Sequence, residues 1–197
     1  MRVGLTGGVA SGKSTVSAIL DELGAVIIDG DVLAREVVAK GTPGLEQVVA
    51  EFGTELLTPD GDLDRPAMGR IVFADEGARR RLEAIVHPLV FERIVELEAA
   101  TSEDDVVVHD IPLLAESGRA DTFDAVIVVD ADPRLQVERM VAERGWTREE
   151  AEARMLAQAS REERLAIATH AIENNGALDQ LRARVEEVFR QLRAESA

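Results

Sequence analysis

The run VGLTGGVASGKSTV, close to residue 1, constrains the fold more than any other stretch of the chain. A strand-length apolar segment, RVGLT, stops at Gly7 and Gly8, and a helical pattern opens at Lys13 and runs to about Leu23. Between them Gly7, Gly12, Lys13 and Ser14 fall at the spacing of a phosphate-binding loop. Glycines at 7, 8 and 12 let the backbone turn tightly and aim its N–H groups at an anion. Lys13 is placed to reach the outer phosphates of a nucleoside triphosphate, and the Ser14 hydroxyl to join a Mg²⁺ shell. The helix that follows points its positive end at the same charge. A chance glycine-rich turn is the alternative, and the strand-to-helix setting argues against it. Switches, motors and small-molecule kinases all use such a loop, so whatever receives the phosphoryl group must be read elsewhere.

The rest of the chain alternates. GAVIIDGD supplies a second strand, VVVHD a third and DAVIVVDADP a fourth, each closed by acids, and HAIENNG a short fifth. Strands separated by helices predict an α/β fold with a five-stranded parallel sheet covered on both faces, and ligands at the strands' carboxyl ends. Capping boxes at TREE (Thr147) and SREE (Ser160) each open a short helix, and an amphipathic helix runs from about Leu178 to Leu192. The stretch from Val32 to about Ala100 is helical, with turns at KGTPG and TPDGDLDRP, and reads as an insertion that builds a second site. Within it, Pro88 is expected to kink or divide a long helix, while Leu82, Ile85, Val86 and Leu89 form its core stripe.

The formal charge is −16, with 22 basic against 38 acidic residues. There is no basic footprint for a nucleic-acid partner. A polyanionic ligand then needs cations gathered locally against a repulsive field. Only two of the 22 basic residues are lysines, Lys13 and Lys40. The absence of cysteine excludes disulfides, thiolate metal sites and cysteine nucleophiles. No apolar run is long enough for a membrane span and no leader pattern precedes the first strand, so a cytoplasmic location is expected.

Two acids after the second strand, Asp29 and Asp31, are candidates for work near the loop. Asp31 has two open readings: a base that takes the proton of an attacking hydroxyl, or a helix cap. Asp29 reads as structural. Asp110 closes the third strand, where it is placed to hold Mg²⁺ directly or through water, or to stand as a solvated strand-end acid. His109, beside it, alternates to the other side and reads as packing. Arg139, Arg144, Arg148 and Arg154 gather in a glutamate-rich segment. One or two are expected to meet phosphate, and most to pair with nearby glutamates. His87 precedes Pro88 at the expected helix break, where structural and ligand-binding roles are both open.

Taken together, GLTGGVASGKST, DGDVLAREVV, LDRPAMGRIVF, IVHPLV, DIPLLAESG, ERMVAERG, AQAS and IENNG resemble the dephospho-coenzyme A kinase family over nearly the whole length. That resemblance implies a P-loop core from 1–31, 105–136 and 166–197, a helical acceptor domain from 32–104 and a lid from 137–165. It implies transfer of a phosphoryl group from ATP, with Mg²⁺, to the ribose 3′-hydroxyl of dephospho-coenzyme A. Lys13, Asp31 as general base and Arg139 as lid arginine would be the catalytic residues. Gly8, Ala10, Ser11, Gly12, Lys13, Ser14, Thr15 and Asn174 would hold ATP, with Ser14 and Asp110 at the metal. Arg35, His87, Asp110 and Leu113 would meet the acceptor, in a monomer or weak homo-oligomer with neither nucleic-acid nor membrane partners. Two positions depart from the family pattern, Thr169 where an aspartate is usual and Glu173 before the asparagine. The competing readings are a nucleoside-monophosphate or shikimate type of kinase, and a nucleotide switch, for which no guanine-reading NKxD string is present.

Overall fold

The computed structural model describes residues 1–196. Its five strands are β1 (Arg2–Gly7), β2 (Val26–Asp29), β3 (Val107–Asp110), β4 (Ala125–Asp130) and β5 (His170–Glu173). The helices are α1 (Lys13–Glu22), α2 (Gly30–Glu36), α3 (Pro43–Phe52), α4 (Arg65–Ala74), α5 (Glu76–Ala99), α6 (Leu114–Ser117), α7 (Pro133–Arg144), α8 (Arg148–Leu156), α9 (Arg161–Ala166) and α10 (Leu178–Glu195). The strands form one sheet in the order β2-β3-β1-β4-β5, with β1 parallel to both β3 and β4, and β4 parallel to β5. This is the sheet the apolar runs predict. Its register sets Leu5 beside Asp110 and Gly7 beside Val129, so three strand ends emerge together where the glycine loop begins.

The all-apolar run of β4 follows from burial on both faces. Ala125, Ile127 and Val129 pack with Val16, Ile19 and Leu20 of α1 and Val185, Val188 and Leu192 of α10. Val126 and Val128 turn the other way, onto Leu114, Phe123 and Leu165. At Thr169, where the family pattern has an acid, the hydroxyl accepts from Val126 N at 2.9 Å and donates to Val126 O at 3.1 Å. The position therefore ties the start of β5 to β4 without a charge. His109 is buried and stacks at a tilt on Phe123, as a packing residue would.

The chain divides into two compact units, Met1–Ile28 with Thr101–Ala197, and Asp29–Ala100. The second is helical. Val38, Leu45, Val48, Leu56, Leu63 and Met68 form its core, against Leu82, Ile85 and Val86 of α5, and Leu89 lies against Gly44. Its helix starts are those the turn residues dictate: Thr42 caps α3 ahead of Pro43, and Asp64 caps α4 ahead of Pro66. Pro88 does not divide α5, which runs unbroken for 24 residues. Pro88 and Ala84 are both exposed, so the carbonyl that loses its donor can be hydrated, and the apolar stripe on the opposite side keeps the helix whole. Among the described residues, no helix is long and apolar enough to cross a membrane.

Candidate active site

The loop from Gly7 to Gly12 has the backbone its sequence requires. Gly12 sits at φ 92°, and a Cβ there would fall 2.1 Å from Asn174 Nδ2. Ala10, at φ 56°, is the one non-glycine residue among those described with a left-handed backbone. Such a conformation persists only where the surroundings hold it. Here they do so from outside the loop. Gln136 Nε2 donates to Val9 O at 2.6 Å, and Val9 N donates to Gln158 Oε1 at 2.8 Å. Arg139 Nη1 donates to the carbonyls of Ala10 and Ser11 at 3.2 and 3.4 Å, and its Nη2 to Asn174 O at 2.9 Å. Buried Asn174 donates its amide to Ser11 O at 2.7 Å. Three successive carbonyls, 9, 10 and 11, are thus turned toward protein donors. A peptide whose carbonyl is held on one side presents its N–H on the other; here Ser11 N closes the turn on Gly8 O and Thr15 N on Gly12 O, each at 3.0 Å, which leaves the N–H groups of Ala10, Gly12, Lys13 and Ser14 to face the cleft.

The resulting cleft has a volume of about 570 Å³ and is lined by the loop with Lys13, Ser14, Arg139, Arg144 and Asn174, against one carboxylate, Glu143. Lys13 pairs with Asp110, whose side chain is 4 % exposed at the end of β3. Ser14 and Thr15 are exposed at the start of α1. The structure therefore brings Lys13, Ser14, Asp110, Arg139 and Asn174 to one place, with Leu113 half exposed three residues beyond Asp110. Asp31, Arg35 and His87 belong to the helical unit, and all three are exposed there. The cap of α2 is Asp29, whose Oδ1 accepts from the N–H groups of Asp31 and Val32 at 2.8 and 3.1 Å. Asp31 is the second residue of the helix, and among the described residues its carboxylate makes neither a hydrogen bond nor an ion pair. The N-cap is therefore Asp29 rather than Asp31, while Asp31 stands as the acid of the helix's first turn, where its charge faces the positive end.

The glutamate-rich segment corrects one expectation. Of its four arginines only Arg148 pairs with a glutamate, Glu152, at 3.8 Å. Arg144 and Arg154 instead sit over the indole of Trp146, 5.4 and 5.3 Å from its centre. The residues that sequence reasoning missed are Gln136, Gln158, Arg161 and Arg164. Arg161 forms a bidentate pair with Asp130, Nε at 2.9 Å and Nη2 at 2.6 Å, which raises its proton affinity well above that of a free guanidinium. Buried Arg164 donates to the carbonyl of Ala159 and stands behind Gly8, where an added Cβ would lie 2.8 Å from its Nη2. An acid that ends a fully buried strand needs a counter-ion, and Asp130 was the signal that would have pointed to Arg161.

Among the described residues, no group of three or more His, Cys, Asp or Glu could hold a metal ion. The Ser14 hydroxyl and the Asp110 carboxylate nevertheless suit Mg²⁺, a hard cation that takes one or two protein oxygens and fills its shell with water and phosphate. A parallel sheet, a phosphate-binding loop at the strand-to-helix junction and a cationic cleft over it define a P-loop kinase. The dephospho-CoA kinase family model matches residues 1–180. A dephospho-CoA kinase of Streptomyces avermitilis is 56 % identical over 192 residues, covering 98 % of this chain and 94 % of the relative. Among solved structures, one from Thermus thermophilus aligns at TM-score 0.75 with 35 % identity, over 98 % of this chain and 97 % of the other. A Campylobacter jejuni dephospho-CoA kinase aligns at 0.73 with 28 % identity, over 100 % and 98 %. The chain belongs to the dephospho-CoA kinase family, and it is an enzyme of coenzyme A synthesis.

Proposed function

We propose that the protein transfers the γ-phosphoryl group of ATP to the ribose 3′-hydroxyl of dephospho-CoA, giving CoA and ADP. The observation that carries this reading is the loop itself, with carbonyls 9 to 11 tied outward and Lys13 and Arg139 lining the same cleft, in a chain of this family. The N–H groups of Ala10, Gly12, Lys13 and Ser14 cradle the phosphates, with Gly8, Ser11 and Thr15 closing the turn around them: Ser11 N donates to Gly8 O and Thr15 N to Gly12 O, each at 3.0 Å. The Lys13 ammonium exchanges Asp110 for phosphate oxygens, and Arg139 follows the charge that develops on the transferring group. Ser14 and Asp110 would hold Mg²⁺, which when bound neutralises charge on the β- and γ-phosphates. Asp31 takes the proton of the attacking hydroxyl as the new O–P bond forms and the β–γ bridge oxygen leaves with ADP. Asn174 supports the loop below the adenine end.

In this reading 1–31, 105–136 and 166–197 form the nucleotide core, 32–104 the acceptor domain and 137–165 a lid, with Asp29 to Asp31 at the boundary packed in the compact helical unit. Arg35, His87, Asp110 and Leu113 contact the acceptor. The enzyme works in the cytoplasm as a monomer or weak homo-oligomer, without nucleic-acid or membrane partners. The test is a coupled assay of ADP release with Mg·ATP, with and without dephospho-CoA, followed by the product's mass. Acceptor-dependent turnover that yields CoA is expected. A folded, ATP-binding sample that shows none removes the acceptor assignment and leaves the loop standing.

A further inference from the structure

Helix α4 carries a feature that the nucleotide cleft does not use. Phe73 is 93 % exposed, the most exposed large apolar side chain of those described. It borders a shallow groove lined by Arg65, Pro66, Gly69, Arg70, Phe73 and Ala74, with no acid among them. Gly69 lies one turn before Phe73, and nothing stands within 4 Å of where its Cβ would be. The helix therefore has a notch between a phenyl ring and two guanidiniums.

Those guanidiniums are unusual in a chain of net charge −16. Among the described residues the Arg70 side chain makes neither an ion pair nor a hydrogen bond, and Arg65 donates only to the backbone carbonyl of Arg35, at 2.8 Å. Elsewhere in the same unit Arg79, Arg80, Arg81 and Arg93 all sit within ion-pair distance of glutamates. An arginine left without a carboxylate, beside an exposed ring, is complementary to a ligand that is anionic in one part and apolar in the next.

The same hydrogen bond gives the groove a direction. Arg35 is four residues after Asp31 on α2, about 6 Å along the axis, and Arg65 is bound to its carbonyl. Phe73 is eight residues further on α4, about 12 Å. From the unpaired Asp31 carboxylate the surface thus runs through Arg35 and Arg65 to Arg70 and Phe73.

We infer that α4 binds the part of the acceptor remote from the reacting hydroxyl, with the diphosphate on Arg65 and Arg70 and the less polar arm laid over Gly69 against Phe73. This rests on the function proposed above. A second copy of the chain is a poorer occupant, because a self-complementary contact would gather unpaired arginines against one another.

The test compares the wild type with Phe73→Ala, Arg70→Gln and, as a control, Phe91→Ala, which removes another exposed ring of the same unit. Phe73→Ala and Arg70→Gln should each raise KM for dephospho-CoA about tenfold, a loss proportionate to one ring or one charged hydrogen bond. KM for ATP and kcat should stay within about twofold, and Phe91→Ala should match the wild type. Binding of 4′-phosphopantetheine, measured by calorimetry, should weaken in Phe73→Ala to the same degree. An unchanged KM for dephospho-CoA in Phe73→Ala overturns the inference, as does a change in oligomeric mass without a change in KM. Failure of the wild type to phosphorylate dephospho-CoA would instead overturn the proposed function, so the two failures are distinct.

Discussion

Replacing Arg161 by alanine tests whether a polar anchor of the nucleotide unit is structural, and the cost can be worked from its geometry. Asp130 ends β4 with a side chain 7 % exposed, and Arg161 meets both its oxygens. Breaking a fully buried pair costs about 3–5 kcal/mol because the remaining charge has lost its partner, whereas exposed pairs are worth about 0–1 kcal/mol. Arg161 is 42 % exposed, so its removal opens a path for water to Asp130. An intermediate loss of about 2 kcal/mol is expected, which for a chain of this size lowers Tm by about 4–8 °C. Adding Asp130→Asn to Arg161→Ala should recover part of that loss, because the stranded charge is gone. Because the pairing raises the arginine's proton affinity, its contribution would be lost only as pH rose through that raised value. No alkaline loss should therefore appear in the working range. Calorimetry of the four proteins of the cycle decides the matter. A Tm for Arg161→Ala within about 1 °C of wild type would refute the anchoring argument.

Four further outcomes follow from the same coordinates. Lys13→Ala should abolish most turnover while the chain stays folded by circular dichroism, at a stability cost of about 1–2 kcal/mol for leaving buried Asp110 without this cation; near-normal turnover would reject the phosphate assignment. Asp31→Asn should lower kcat strongly with ATP affinity kept, and Tm should barely move since Asp29 carries the cap; an unchanged kcat ends the base reading. Gly12→Ala forces an alanine into a left-handed backbone, about 1–2 kcal/mol, and drives its Cβ into Asn174, so nucleotide affinity measured by calorimetry should collapse. The Glu163 carboxyl is held below its ordinary value by Ser160, chiefly through the backbone N–H, so its capping contribution is present above the unfolded value and fades as pH falls through the folded one. Ser160→Ala removes only the hydroxyl and should move the NMR titration of Glu163 upward slightly, Ser160→Pro removes the N–H as well and should move it further, and an unmoved titration in Ser160→Pro would dismiss the box.

The sheet was legible because its signal is local. Apolar runs such as AVIVV can only be buried on both faces, and the acids that end them mark the edge where ligands bind. Both capping boxes were legible for the same reason, since each spans four residues. The supports of the loop were not. Gln136 meets Val9 across 127 residues and Gln158 meets it across 149, and in the sequence both glutamines look like solvent-facing residues. Nor could periodicity foresee that Pro88 is tolerated within α5, because tolerance depends on which side of the helix its freed carbonyl faces. Family motifs pointed to Arg139, but what holds it is three backbone carbonyls, and no motif expresses that.

How the arginines are held explains how so acidic a chain can keep cations for an anionic ligand. A guanidinium paired with a carboxylate is ordered, but its charge is cancelled. One held by a carbonyl or an aromatic ring is ordered with its charge intact. The chain separates the two cases. Arg79, Arg81, Arg93, Arg148, Arg182 and Arg184 lie on glutamates along helix surfaces. Arg139, at the mouth of the loop, is held by carbonyls alone, and Arg144, on the same cleft, by the Trp146 ring. Arg65 of the helical unit is likewise held by a carbonyl. A single tryptophan among 197 residues stands where two arginines need an uncharged surface. The hold of the Trp146 ring on Arg144 is worth about 0.5–1 kcal/mol, weak enough for a phosphate to displace it. Trp146→Glu should therefore keep Arg144 ordered yet weaken ATP binding, whereas Trp146→Phe should leave affinity near normal. Equal affinities in the two variants would show that charge conservation is not what the ring provides.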